Sequence, residues 1–465
     1  MLKKFHFRLS IPGSLFSLCF LLLLNSCSEG GRMSEGFGFT GEPDEVQLII
    51  LNPGHYHAYA IHRRMYDQID PTVHIYAPEG PEVDEHVEVV EGYNMQEENP
   101  TSWNQVVYKG DDYLERMLAE RRGNVVILAG NNRKKTEYVK RAVDEGLNVF
   151  SDKPMVIDMD NFRLLEQAVE SAGRNNVLLY DMMTGRHSMG NILRQEIMKL
   201  PGVFGELETG SHDDPAIVKE NIHHFYRVVG GRQLYRPPWY FDVRQQGEGI
   251  VDITIHLVDQ VQWGCFPEQT IDHRRDIEML SASRWPTPIT KSQFTRITGV
   301  DEFPAYLEED IENDTVIQVY ANGEMNYRLK GVHVRLGTRW YYSEAEDGGD
   351  ASSTLVRGTR ANIRTGRSGL CIEPVSAGSM DDFEKILNEE FSVIREKYPG
   401  VELRRLEDCW QVVIPRQYSA DSFTLATGKY LQYLADGEIP EWEMPNLLSR
   451  YYTTARALEK AKESR

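Results

Sequence analysis

The sequence predicts a doubly wound α/β domain with a parallel sheet, followed by an α+β domain built on a large, mostly antiparallel open sheet. Three observations predict it. Between residues 46 and 181, short and almost wholly apolar runs alternate with helix-length segments, as strands buried on both faces by crossover helices do. Past residue 190 the runs lengthen and take on strand character with few helices between them, the texture of antiparallel pairing. The 465 residues suffice for two or three domains with real cores.

Residues 1–27 read MLKKFHFRLSIPGSLFSLCFLLLLNSC: a cationic start (Lys3, Lys4, Arg8), an apolar stretch from Ile11 to Leu24, then Asn25-Ser26-Cys27. This is an export signal, and its end resembles a bacterial lipobox with Cys27 as the lipidated residue. An ordinary secretory signal is the alternative. The apolar stretch falls short of the roughly 20 residues a spanning helix needs and contains Pro12 and Gly13. Residues 28–44, rich in Gly, Ser and Glu, read as a flexible tether. This order implies a protein of the bacterial cell envelope, exported and anchored through an N-terminal lipid.

The first folded domain is expected over 45–182. Its strands are 46–51, 73–77, 125–130, 147–150 and 176–181, and its helices run from His57 to Tyr66, Asp111 to Arg122, Lys135 to Glu145 (closed by Gly146) and Asp160 to Ala172. The second is expected over 183–465. It has a helix near 190–199, strand-like segments at 203–212, 314–342 and 354–366, and tail helices from Asp381 to Lys397 and Ser422 to Asp436. Asn322-Gly323 between two alternating runs reads as a hairpin turn.

Lys plus Arg number 51 against 71 Asp plus Glu, a net charge of −20. So acidic a chain has no footprint for a phosphate backbone, and nucleic acid is excluded as a partner. Once the signal is removed, Cys265, Cys371 and Cys409 are widely spaced with no Cys-x-x-Cys pair, which signals neither a disulfide framework nor a thiolate zinc site. One pairing among the three stays open in an oxidising compartment.

The chemistry concentrates at the strand ends. The turn after the first strand, Asn52-Pro53-Gly54-His55-Tyr56-His57, matches the phosphate-binding pattern G-x-G-x-x-G only at Gly54. Where an acid should grip a ribose diol stand Ala77 and Pro78, with Glu79 just beyond. The fourth strand ends in Ser151-Asp152-Lys153-Pro154, placing a lysine at the carboxyl edge, where doubly wound sheets bind ligands. In the segment 247–263, Asp252, His256 and Asp259 recur at i, i+4 and i+7, one polar stripe on an otherwise apolar helix. Trp239 and Tyr240, in the aromatic and basic segment 235–241, suit the apolar face of a sugar. His212, Asp213 and Asp214, with His223 and His224, form a local group of potential ligands and make a metal hydrolase a minor alternative. They lack a firm ligand spacing, and no metal is assigned.

These motifs together resemble the Gfo/Idh/MocA family of NAD(P)-dependent oxidoreductases, named for glucose–fructose oxidoreductase and inositol dehydrogenase. Asp152-Lys153-Pro154 is similar to its E-K-P motif, and Gly247 to Asp259 to its G-G-G-x-x-x-D-x-G-x-H-x-x-D motif, with Thr254 in place of the last glycine. Its T-P-N-x-x-H loop falls on residues 130–135, keeping Asn132 and placing Lys135 where the His should be. The resemblance implies a Rossmann domain and catalysis by Lys153, Asp252 and His256. It implies a cofactor held by Asn52, Gly54, His55, His57, Asn131, Asn132, Asp152 and Lys153, and a substrate met by Arg186, Trp239, Tyr240 and Asp259.

The expected activity interconverts a secondary alcohol and a ketone on a sugar or glycoside, with NAD or NADP retained by the protein. His256 acts as base, Asp252 orients its ring, and Lys153 stabilises alkoxide charge. A glycosidase working through transient oxidation and elimination would use the same residues. A glycan-binding lipoprotein that kept only the fold is the non-enzymatic alternative. Homo-oligomers are common in the family.

Overall fold

In a computed structural model of the protein the described residues are 36–229, 232–343, 350–366, 368–375, 379–419 and 421–463. The expected signal peptide with Cys27 lies outside them. No described helix is long and apolar enough to cross a membrane.

Six parallel strands form the first sheet: β1 (Leu48–Leu51), β2 (Thr72–Ala77), β3 (Asn104–Lys109), β4 (Val125–Leu128), β5 (Asn148–Ser151) and β6 (Leu179–Asp181). Their order, β3-β2-β1-β4-β5-β6, is that of a Rossmann domain, whose direction of winding switches between β1 and β4. Every residue of β1 and β4 is at most 1% exposed, which is why both read as unbroken apolar runs. The crossovers are α1 (His57–Ala60), α2 (Pro81–Met95), α3 (Tyr113–Glu120), α4 (Lys135–Asp144) and α5 (Met159–Asn175). Gly146 closes α4 with φ +74°.

Two elements here escape the sequence pattern. β3 is the edge strand, so Val106 and Val107 remain exposed and it carries no apolar run. α2 carries five acidic residues in fifteen and buries only Val83, His86 and Val90. The first helix is shorter than expected, one α-turn followed by a 3₁₀ turn at Ile61–Arg63.

The second domain begins with α6 (Met189–Met198). Residues 203–212 make only isolated bridges at Leu207 and Gly210, because Gly205 and Gly210 take positive φ and turn the chain. Then follow β7 (Ile217–His224), the ribbon β8 (Val228–Val229) with β9 (Arg232–Gln233), α7 (Val243–Gln246), α8 (Gly249–Asp252) and α9 (Thr254–Cys265). Next come β10 (Ile277–Thr290), α10 (Lys291–Thr298), β11 (Ile311–Glu312), β12 (Val316–Leu329), β13 (Val332–Tyr341), β14 (Ala351–Arg357), β15 (Ala361–Gly366) and β16 (Gly369–Pro374). The chain closes with α11 (Met380–Glu390), α12 (Ser392–Lys397), β17 (Glu402–Arg405), β18 (Trp410–Val413), α13 (Ser422–Asp436) and α14 (Glu443–Glu463). The large sheet runs β10-β12-β13-β7-β14-β15-β16-β18-β17, with β11 on β12, and only β13 and β7 pair in parallel.

Asn322-Gly323 is not the hairpin turn. It lies inside β12, and the reversal to β13 comes at Lys330-Gly331. Asn322 is spent inside the sheet: its Nδ2 donates to the Trp285 carbonyl and Thr287 Oγ1, and its Oδ1 accepts from Trp340 N. A Cβ on Gly323 would stand 2.6 Å from Ile250 Cβ, so glycine is needed there for α8 to lie on the sheet.

The last two helices pack against the first domain. Tyr430 of α13 stacks on Phe150 at 4.5 Å, and α13 fills the face of the sheet that the shortened α1 leaves uncovered. Leu447, Tyr451 and Ala455 of α14 join the core of the opposite face. Cys265, Cys371 and Cys409 are buried and unbridged.

Candidate active site

A pocket of about 620 Å³ opens at the carboxyl edge of the parallel sheet, lined by Lys153 from the end of β5 and by Gln246, Asp252 and His256 from the second domain. Lys153 Nζ donates to Asp252 Oδ1 at 2.7 Å, and Gln246 Nε2 donates to Asp252 Oδ2 at 2.9 Å. Burial disfavours the ammonium of Lys153, but the carboxylates of Asp252 and Asp152 outweigh it and hold its pKa above the ordinary lysine value. The Lys153–Pro154 peptide is cis.

His256 is half-buried and faces the same pocket, with its pKa pushed down to about 4 by burial and then by the Lys153 charge. The expected role of Asp252 in orienting this ring is corrected. The helix breaks at Ile253, between α8 and α9, and the Asp252 carboxylate is committed to Lys153 and Gln246. Arg186 and Asp259 are also corrected as substrate contacts. Arg186 binds Asp259 at 2.6 Å and Glu443 at 2.8 Å, and Arg450 joins Asp181 at 2.6 Å and Asp259 at 3.5 Å. This fully buried network ties β6, α9 and α14 together behind the pocket.

Of the two expected aromatic contacts, Tyr240 lines the pocket, whereas Trp239 stands against Gly54 and donates Nε1 to Glu82 Oε1 at 3.1 Å. Trp340 and Arg236 complete the aromatic wall, with the guanidinium 4.6 Å above Tyr240 and 5.2 Å above Trp340. His223 Nδ1 meets Asp350 at 2.9 Å and Arg227 reaches the same carboxylate at 2.8 Å. Sequence reasoning placed His223 in a ligand group with His212. In the structure His212 is exposed beside Asp213, while His223 belongs to this pocket. Asp350 and Trp340 carried no signal, since only the β7, β13 and β14 neighbourhood brings them here.

A second cleft, of about 760 Å³, runs from the end of β2 across the β1 turn to the β4 loop, lined by Asn52, Gly54, Pro78, Asn131, Arg133 and Lys134 among others. Its turn differs from a glycine-rich phosphate cradle. Gly54 N–H and His55 N–H both donate to the Ala129 carbonyl, at 3.1 and 3.3 Å, so these backbone donors are engaged within the protein. Asn52 takes φ +48°, and a Cβ on Gly130 would overlap the Asn52 carbonyl oxygen, so the two strand ends are locked together. The exposed cations Arg133 and Lys134 line this cleft, and Asn132 Oδ1 is a buried acceptor without a partner. The cleft thus fits a dinucleotide, and the side chains of Arg133 and Lys134 would hold its phosphates in place of backbone N–H groups.

His55 and His57 do not point at that cleft as cofactor contacts. Each directs Nδ1 at one oxygen of Asp152, at 3.1 and 2.6 Å. Burial lowers the His57 pKa to about 3, so the ring is neutral and donates Nδ1–H. Burial opposes ionisation of Asp152, yet the His57 and His55 imidazoles and the Lys135 ammonium keep its carboxyl well below the usual range. Asn131 and Asn132 instead bridge the domains, Asn131 Nδ2 donating to Gln245 Oε1 at 2.8 Å and Asn132 Nδ2 to the Gln246 carbonyl at 2.7 Å.

Comparison with known proteins agrees with this architecture. Residues 54–180 match a family described as "Oxidoreductase family, NAD-binding Rossmann fold", and residues 193–462 match "Putative oxidoreductase C terminal domain". No curated protein sequence matches the chain. A solved "putative oxidoreductase from Parabacteroides merdae ATCC 43184" is 45% identical, spans 93% of this chain and 100% of its own, and superposes with a TM-score of 0.90. Two others share the fold. Levoglucosan dehydrogenase in complex with NADH and levoglucosan is 11% identical over 90% of this chain and 97% of its own, with a TM-score of 0.56. The WlbA dehydrogenase from Bordetella pertussis, in complex with NADH and UDP-GlcNAcA, is 13% identical over 91% and 97%, with a TM-score of 0.53. With its NAD(P)-binding Rossmann domain joined to the matching oxidoreductase C-terminal domain, the chain belongs to the Gfo/Idh/MocA oxidoreductase family.

Proposed function

We propose that this protein interconverts a secondary alcohol and a ketone on a sugar or glycoside, with a retained NAD(P). One observation carries the reading: Lys153 of the first domain and Asp252 and His256 of the second line a single pocket at the ligand-binding edge of the Rossmann sheet. NAD(P) bound at that edge supplies the hydride acceptor.

The chain's own groups divide the rest. Lys153, kept protonated by Asp252, donates to the substrate oxygen and stabilises negative charge as it develops. His256, neutral at working pH, accepts the hydroxyl proton on a ring nitrogen. A base depressed to about 4 is weak, so raising the alcohol's own acidity through Lys153 does the larger share. Tyr240 and Trp340 offer apolar faces to a pyranose, and Arg227 with the His223–Asp350 pair offers polar partners to its hydroxyls. The sugar and sugar nucleotide bound by two structural neighbours support a carbohydrate substrate.

Denaturing the purified full chain and identifying the released nucleotide by mass spectrometry tests retention. Incubation with a panel of glycosides, reading keto-sugar by product analysis, tests the reaction. Keto-sugar formation lost in Lys153→Met supports the proposal. Glycoside cleavage without net NADH replaces it with the elimination reaction, and no released nucleotide with unchanged glycan binding in Lys153→Met replaces it with a binding protein. We also propose export and lipidation at Cys27, supported by the 1–27 sequence; Cys27→Ser should leave the protein soluble after membrane fractionation.

A further inference from the structure

The turn after β1 carries two imidazoles that the redox scheme does not use. His55 and His57 approach separate oxygens of the Asp152 carboxylate, and the potential ligand atoms of all three lie within 4.8 Å of one another. Among the described residues no other group of three or more His, Cys, Asp or Glu is so placed. The cluster has a closed back and an open front: His57 and Asp152 are 5% and 2% exposed, whereas His55 is 24% exposed, and both imidazoles line the catalytic pocket. Lys153 does not cancel the charge of Asp152, because its ammonium is bound to Asp252 at 2.7 Å. Counting Lys135, which acts on the same carboxylate, the buried ammoniums of Lys135 and Lys153 are matched by the carboxylates of Asp152 and Asp252.

Two imidazoles and one carboxylate with one side open form the donor set of catalytic transition-metal sites, in which three protein ligands leave further positions to water or substrate. We propose that His55, His57 and Asp152 bind a divalent transition cation, zinc by the chemistry of the donors, at the wall of the catalytic pocket. The free positions of the ion face the pocket, within reach of substrate oxygens. Metal bonds replace the hydrogen bonds of the imidazoles to Asp152, each neutral ring keeping its proton on Nε2 while Nδ1 ligates, with no net release of protons. A bracket that only stiffened the turn would bind no ion.

The test uses the metal alone. The full-length protein is stripped with a chelator and titrated with zinc chloride by calorimetry, and cobalt is added in parallel to read its visible d–d absorption. One ion per chain is expected, with dissociation in the micromolar range or tighter. His55→Gln, at a partly exposed site, should weaken binding by about 100-fold or more while the melting temperature stays close to that of the wild type. Asp152→Asn should weaken binding by a similar factor, and His212→Gln should change nothing. Absence of saturable binding to the folded wild type, or unchanged affinity in both His55→Gln and Asp152→Asn, overturns the proposal. Neither readout involves nucleotide or sugar, so failure here leaves the oxidoreductase reading intact, and failure of that reading leaves this one standing.

Discussion

The Lys153–Asp252 pair is the joint between the two domains at the pocket, and its energy can be measured. At 2.7 Å the two charges attract by about 6 kcal/mol at an effective dielectric near 20, before the cost of taking both out of water. That cost cancels much of the gain, so replacing the whole pair with neutral groups should be far milder than breaking it. Lys153→Met strands the Asp252 carboxylate with only Gln246 as a donor and should destabilise the chain by about 3–5 kcal/mol. Asp252→Asn should cost less, because Lys153 can shed its proton and Asn keeps the amide contact. In the double variant the losses should fall short of additivity by about 2–3 kcal/mol. Urea denaturation of the full chain, followed by tryptophan fluorescence, reads all four corners of the cycle. Additivity within about 0.5 kcal/mol would mean that the two charges are not coupled, and the convergence of the domains on this pocket would lose its energetic basis.

Other consequences follow from single sites. Lys135 is 1% exposed with no partner for Nζ, and burial lowers its pKa to about 8. The unfolded chain therefore binds more protons between about pH 8 and 10.4, and stability should rise over that window by about 3 kcal/mol. Lys135→Met should be the more stable protein at pH 7 and should lack that rise, as thermal melts at several pH values would show; equal pH profiles would contradict it. Gly323→Ala forces a Cβ to 2.6 Å from Ile250 Cβ and so pushes α8, with Asp252, off the sheet. Turnover should fall more than stability, and a fully active variant would show that α8 is not held there. Lys153→Met should lower turnover by about 10³-fold or more and His256→Gln by about 10²-fold, the range for one electrostatic or proton-transfer group. The reverse ranking, measured by steady-state kinetics, would make His256 the stronger contributor. Arg450→Met leaves Asp181 buried without its ion pair and should cost about 3–5 kcal/mol in denaturation, with no selective effect on substrate binding.

The sequence by itself determined the parallel, doubly wound plan of the first domain and the place of Lys153 at the carboxyl edge of its sheet. β1 and β4 are buried on both faces, so each is apolar along its length, and Lys153 lies two residues beyond β5 at the edge where such sheets bind ligands. Asp252 and His256 were legible from their order and spacing, four residues apart beyond a glycine-rich start. Tertiary structure alone decided what those groups touch. Asp252 turns to a lysine 99 positions away in place of the imidazole near it in sequence, and His57 meets a carboxylate 95 positions away. Asn322-Gly323 has the composition of a turn and yet continues a strand, because helix packing and the sheet's own hydrogen bonds outweigh local preference. Periodicity records which face of an element is dry. Which side chain completes another's charge depends on where distant elements are laid together, and no local pattern encodes that.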